Sequence, residues 1–281
     1  MMDGILLLNK EVGWSSFQTI NKAKRLINAS KVGHSGTLDP FASGLLVVTV
    51  NKATKVNQFI ETQDKEYIAT LKLGIKTSTL DLEGEVIDTK QVPPLNEQLI
   101  IETLNKFKGK IKQLPPMYSA LKVNGQRLYD LARQGIEIER KEREVEIFDI
   151  QLISYKDDEI EFKVNCSKGT YIRTLGESIS EELNTYGHLI KLIRTRVGNF
   201  KLEDAYKLED LDNYKLLNIK EALVHFYTIK LNDNEIIKVK NGIKFKFNTN
   251  EKEVLIVDKN DVPIAIYEKE NDHYRSKRGL F

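Results

Sequence analysis

One stretch constrains this chain more than any other: Gly33-His34-Ser35-Gly36-Thr37-Leu38-Asp39-Pro40-Phe41-Ala42-Ser43-Gly44. Glycine reaches backbone angles that other residues avoid, and proline fixes its own φ. Three glycines and a proline so close together read as a shaped loop and not as helix or strand. The apolar run Leu45-Leu46-Val47-Val48-Thr49-Val50 follows at once and reads as a buried strand that holds the loop rigid. Asp39 is the lone acid of the loop, placed between His34 and that strand, where a side chain can be aimed at a reactant. An aspartate before proline is also a common turn element, so the residue by itself leaves both readings open.

The rest of the chain alternates short strands with helices. Gly4–Lys10 reads as a buried strand. Ser15 is placed to cap a helix through about Asn28, with Gln18 in capping-box position and Phe17, Ile20, Ala23 and Ile27 at helical spacing. A short helix is expected over Ala53–Glu61. Lys65–Gly74 alternates as a strand with Tyr67, Ala69, Leu71 and Leu73 on one face, and Gly84–Asp88 is its expected partner. A helix over Glu97–Phe107 precedes residues 109–144, which are rich in charge, glycine and proline and read as an inserted excursion with a helix near Leu128–Arg133. Val145–Ser154 and Glu159–Cys166 read as antiparallel strands, Thr170–Asn184 as a helix and His188–Val197 as a strand. After the mixed residues 198–227, the pattern turns to short strands and turns, a compact all-β appendage. The expected class is α+β, since strands and helices are mixed without a regular βαβ rhythm.

Several function classes drop out. Neither Gly-x-Gly-x-x-Gly nor Gly-x-x-x-x-Gly-Lys-[Ser/Thr] occurs, so ATP- or NAD-driven chemistry lacks a visible cradle. The single cysteine, Cys166, excludes an intramolecular disulfide and reads as a small buried residue, and no histidines stand at metal-ligand spacing. No apolar run approaches the roughly 20 residues of a membrane helix, and no signal peptide is apparent, so a cytoplasmic protein is expected. The net charge of +2 does not announce a nucleic-acid binder, but residues 1–60 carry seven Lys/Arg against three acids, and Arg275-Ser276-Lys277-Arg278 is a second basic cluster. Local positive faces of this kind suit phosphates, and equally suit a solvated lysine-rich surface.

The loop resembles the catalytic loop of the TruB family of pseudouridine synthases, whose members modify uridine 55 in the T-loop of tRNA. Every fixed position of that family's pattern G-H-[ST]-G-x-L-D-P-x-A-[ST]-G is present. A second signature, C-S-x-G-T-Y-I-R-[ST]-L, is matched by Cys166 through Leu175, and the strand pattern K-x-Y-x-A by Lys65-Glu66-Tyr67-Ile68-Ala69. The resemblance implies a fold in which a mixed, mainly antiparallel catalytic domain (1–227) carries an inserted RNA-clamp segment (about 109–144). A reduced, small C-terminal all-β, PUA-like RNA-binding domain (228–281) follows, with Val239-Lys240-Asn241-Gly242 at its start. It implies Asp39 as the catalytic aspartate, Arg173 as the guanidinium that pairs with it and lowers its pKa, and Tyr67 as the ring against the target uracil. His34 and Tyr171 are implied to touch the RNA, Leu192 to line the uracil pocket, and Lys10, Lys122, Arg127 and Arg133 to contact the substrate, the latter three through phosphates.

The chemistry so implied moves uracil from a C1′–N1 to a C1′–C5 bond and needs no cofactor and no metal. The expected partner is the T-arm of tRNA, with no membrane, no obligatory protein partner and a monomeric enzyme. Two alternatives stand beside it: a subunit of a guide-RNA-dependent synthase, and a non-catalytic RNA-binding chaperone that helps tRNA refold.

Overall fold

The computed structural model describes residues 2–119, 121–123, 125–136 and 138–281, and for Lys122, Arg127 and Arg133 the backbone alone. The chain opens with β1 (Gly4–Lys10) and α1 (Ser16–Leu26). Ser15 caps α1 as its sequence predicts: its Oγ accepts from Gln18 N at 3.2 Å and Gln18 Oε1 accepts from Ser15 N at 2.9 Å. There follow β2 (Val32–His34), β3 (Ser43–Val50), a 3₁₀ turn over Asn51–Val56, α2 (Asn57–Glu61), β4 (Lys65–Leu73), β5 (Ile75–Thr77), β6 (Val86–Thr89), α3 (Glu97–Asn105) and β7 (Gly109–Gln113). The middle of the chain holds β8 (Lys122–Val123), β9 (Gln126–Arg127), α4 (Leu128–Arg133), β10 (Arg143–Lys156), β11 (Glu159–Cys166), α5 (Ile172–Glu182), β12 (Gly187–Val197) and β13 (Phe200–Lys201). The last part comprises β14 (Tyr227–Lys230), α6 (Asp233–Lys240), β15 (Glu253–Val257), β16 (Pro263–Glu270) and β17 (His273–Gly279).

The main sheet runs β1-β3-β12-β4-β11-β10-β7, with β2 beside β3 and β13 beside β12. All its pairings are antiparallel except β3 with β12, so the α+β reading holds. The unbroken apolar runs of β1 and β3 are explained by burial on both faces. Ile5, Leu7, Leu45 and Val47 enter one core cluster, while Leu6, Leu8, Leu46 and Val48 enter another with Ile20 and Ala23 of α1. On β4 the predicted face, Tyr67, Ala69, Leu71 and Leu73, is the buried one and packs with α5.

The structure departs from the sequence reading in five places. The loop is shorter than its motif, because Gly33 and His34 pair with β3 and Ser43 and Gly44 begin it. Gly84–Asp88 is not the partner of β4: Val86–Thr89 pairs with Ile75–Thr77, and β4 lies between β12 and β11, which offer longer partners. Gly109–Gln113 belongs to the main sheet, as the edge strand beside β10. The C-terminal sheet β14-β15-β16-β17 is joined by a helix, α6, which opens on a capping box at Asn232 and Glu235. Leu255, Val257, Ile266 and Leu280 of that region share a core with β1 and β3. Phe17, taken as part of the apolar stripe of α1, is 69% exposed.

Candidate active site

Asp39 sits in the loop between β2 and β3, and other elements pin that loop by its backbone. Ser16 at the start of α1 takes Leu38 N–H on its Oγ at 2.8 Å and donates to Leu38 O at 3.1 Å. Gly13 N–H reaches Pro40 O at 2.8 Å, and Asn57 Nδ2 reaches His34 O at 2.7 Å. Gly44 has φ +103, and a Cβ there would lie 2.4 Å from the Arg194 carbonyl oxygen, so glycine is required where β3 meets β12.

Arg173, in the first turn of α5, is 4% exposed and uses its whole fork. Its Nε lies 3.0 Å from Asp39 Oδ2 and its Nη1 3.2 Å from Asp81 Oδ2. Nη1 also donates to Thr79 O at 2.9 Å and Nη2 to Tyr118 O at 2.7 Å. The two signatures, far apart in the sequence, thus meet as one ion pair. Of the Asp39 side chain 35% stays open to the cleft. Burial is the largest influence on its carboxyl and pushes the pKa up. Arg173 pulls it down, Asp81 pushes it up and Lys10 pulls it down. Arg173 lowers the pKa as expected and orients the carboxylate, while burial, the larger influence, sets the net direction.

The cleft has a volume of about 750 Å³, and Asp39, Tyr67, Tyr171, Arg173, Leu192 and Arg194 all line it. That is within the roughly 300–1,000 Å³ of small-ligand sites. Tyr67 is buried, and burial raises its hydroxyl pKa while the neighbouring Arg194 opposes this. Leu192, at 6% exposure, supplies apolar wall. Tyr171 stands at the N-cap of α5. His34 lies at the foot of the loop on β2; burial first, then Arg194, lowers its pKa, and its buried Nδ1 has no hydrogen-bond partner among the described residues. Lys122 and Arg127 form the β8–β9 hairpin, and their side chains lie outside the described atoms, as does that of Arg133.

Lys10 corrects its own assignment. It is fully buried, and its Nζ donates to the carbonyls of Glu11, Trp14 and Pro40 at 2.9, 2.6 and 3.3 Å. Burial lowers its pKa to about 8. It fastens the backbone around Pro40, in the Asp39 loop, from within. Two cations of the tail cluster are paired on the surface: Arg275 with Glu268 and Glu270, and Lys277 with Glu253 and Glu268.

Sequence reasoning missed two charged groups. Asp81 is buried and reaches Arg173 from the turn after β5, and no pattern in Thr79-Leu80-Asp81 announces it. Arg194 is 1% exposed and donates from Nε to Leu45 O at 2.8 Å and from Nη2 to Gly36 O at 3.1 Å. Its signal was present, because it shares a strand face with Leu192. Cys166 is buried as read, and burial pushes its thiol up to about 12, far from a nucleophile. Among the described residues no group of three or more His, Cys, Asp or Glu could hold a metal ion, and no helix is long and apolar enough to cross a membrane.

Known proteins resemble this chain in sequence and in fold. The model of the TruB family pseudouridylate synthase N-terminal domain matches residues 24–172. A protein of Clostridium kluyveri named tRNA pseudouridine synthase B is 46% identical over 249 residues, covering 87% of this chain and 86% of its own length. One of the same name from Hydrogenovibrio crunogenus is 41% identical, covering 91% and 85%. Among solved structures, a Cbf5-Nop10-Gar1 complex contains a chain with TM-score 0.77 and 24% identity, covering 99% of this chain and 85% of that one. At that identity the likeness concerns the fold.

Proposed function

The chain belongs to the TruB family of pseudouridylate synthases, and from that premise we propose that it converts uridine 55 in the T-loop of tRNA to pseudouridine as a stand-alone enzyme. The observation that carries the reading is the Asp39–Arg173 pair at 3.0 Å, set in a cleft with an aromatic ring, an apolar wall and room for an everted nucleotide. The reaction is an isomerisation. The C1′–N1 bond breaks, the base turns, C1′ bonds to C5, the C5 proton leaves and N1 gains one, so atoms balance without a co-reactant. Asp39 is the group that acts at the ribose or the base, held in line by Arg173. Tyr67 stacks on the uracil, Leu192 and Tyr171 close the pocket, and His34 meets the bases displaced from the loop. The segment between β7 and β10, with Lys122, Arg127 and Arg133, clamps the T-arm through phosphates. Residues 228–281 act as a reduced PUA-like unit that touches the RNA away from the reaction centre. The enzyme works in the cytoplasm as a monomer.

Incubating the purified chain with an unmodified tRNA transcript and mapping pseudouridine tests this. Product at the T-loop uridine alone supports it. No product without an added guide RNA favours the guide-dependent reading, and tight binding with no product under any condition favours a chaperone.

A further inference from the structure

We propose that Gln113 is a positioning residue for pseudouridine formation. Its carboxamide fixes the peptide from which Tyr171 faces the cleft and Arg173 reaches Asp39. The inference rests on the function proposed above.

Gln113 ends the edge strand β7 and is 4% exposed. Its Oε1 accepts the Tyr171 N–H at 3.0 Å, and its Nε2 donates to the Tyr171 carbonyl at 3.3 Å. A carboxamide offers a peptide unit the same donor and acceptor that a neighbouring backbone would offer, so one residue satisfies both ends of this buried side chain. Tyr171 is the N-cap of α5 and caps it with no side-chain bond of its own. Its carbonyl already begins the helix by accepting Leu175 N–H at 3.0 Å. Gln113 therefore grips the point at which the turn becomes helix, an end where backbone groups otherwise lack intrahelical partners. Arg173 stands in the first turn beyond that point, so any rotation of the Tyr171 peptide swings the guanidinium away from Asp39.

A second bond ties the same two segments. Arg173 Nη2 donates at 2.7 Å to the carbonyl of Tyr118, in the stretch that Gln113 begins. Ser119 O accepts from Tyr129 N at 3.1 Å and Leu121 O from Leu128 N at 2.8 Å, which links that stretch to α4. The excursion proposed to hold RNA is thus bonded to the catalytic arginine at its backbone, and Gln113 is the side chain at its root that sets the register. Packing alone makes no such demand: methionine has the same reach and would fill the space without either hydrogen bond.

The test uses the full chain and an unmodified tRNA transcript, with Gln113→Met and Gln113→Ala. Single-turnover rate at saturating enzyme, tRNA Kd and thermal melting are measured for each. Misplacement of a catalytic group by about 1 Å costs on the order of 10²-fold in rate, and a loss of that size is expected in both folded variants while Kd stays within about threefold. A Gln113→Met protein that reacts at the parent rate overturns the proposal, as does a loss that a weaker Kd accounts for entirely. Hydrogen exchange of the unmutated chain gives a check that does not depend on a variant folding. The Tyr171 amide is expected to be protected, and free exchange there defeats the idea. An unmutated chain that makes no pseudouridine removes the premise, and is told apart from these outcomes by that control.

Discussion

The cleft and the C-terminal sheet hold the same kinds of side chain in opposite circumstances. Around β15–β17 the charges lie on the surface and pair with one another: Lys244 with Glu270, Lys246 with Asp272, Lys259 with Asp233, each at least 37% exposed. Beneath and around the cleft, Lys10, Asp81, Arg173 and Arg194 are nearly excluded from water; the three cations donate mostly to backbone carbonyls, while the Asp81 carboxylate accepts from the Thr79 hydroxyl and the Glu83 N–H. Water screens the first set, which is worth little pair by pair. The second set acts in a low dielectric, where each charge fixes a piece of backbone and shifts its neighbours' pKa values. Ion pairs that look alike on paper therefore differ in consequence according to what surrounds them.

Substitutions on the two sides should separate widely. The largest effect is expected for Asp39→Asn, which removes the charge and keeps the shape. Product formation should fall by roughly 10²–10⁴-fold or more with tRNA binding retained, measured by single-turnover assay and filter binding; full activity would refute the role. Next comes Arg194→Met, which leaves the Leu45 and Gly36 carbonyls without their donor. About 3–6 kcal/mol of stability should be lost, read from urea unfolding, because two hydrogen bonds from a charged donor go and each is worth roughly 1.5–3 kcal/mol.

The third effect is one of pH. Asp39 has its pKa raised in the folded protein, and the proposed reaction uses it as the anion, so kcat/KM should decline on the acid side, with a midpoint above that of an ordinary aspartate. Asp81 is one of the groups pushing it up, so Asp81→Asn should move that limb to lower pH; a limb that stays put would show that the two carboxyls do not communicate. The smallest effect is expected for Lys246→Ala, within about 0.5 kcal/mol by thermal melting. A large loss there would collapse the contrast between the two regions.

The core of the site was legible where local chemistry marks it. The glycine-proline loop, the strand behind it and the capping box of α1 follow from rules that act within a few residues. The pairing of Asp39 with Arg173 was reached only through the resemblance of two separate signatures. Asp81, Gln113 and the inward turn of Lys10 escaped because each works through a tertiary contact with backbone. A buried lysine spends its charge on carbonyls, and nothing in Leu8-Asn9-Lys10-Glu11 says which way its head will point. β6 was misassigned for a related reason, since alternation shows that a strand exists but not which neighbour it takes.

Leu255, Val257, Ile266 and Leu280 settle against Ile5, Leu7, Leu45 and Val47. This imposes an order of events on the nascent polypeptide. Strands made first cannot finish dehydrating until segments made some two hundred residues later have emerged, and closing so long a span is slow. During that interval the inner faces of β1 and β3 stay exposed to water. The two sheets should then unfold in a single transition, so a lesion in β16 would be felt at Asp39 without touching it.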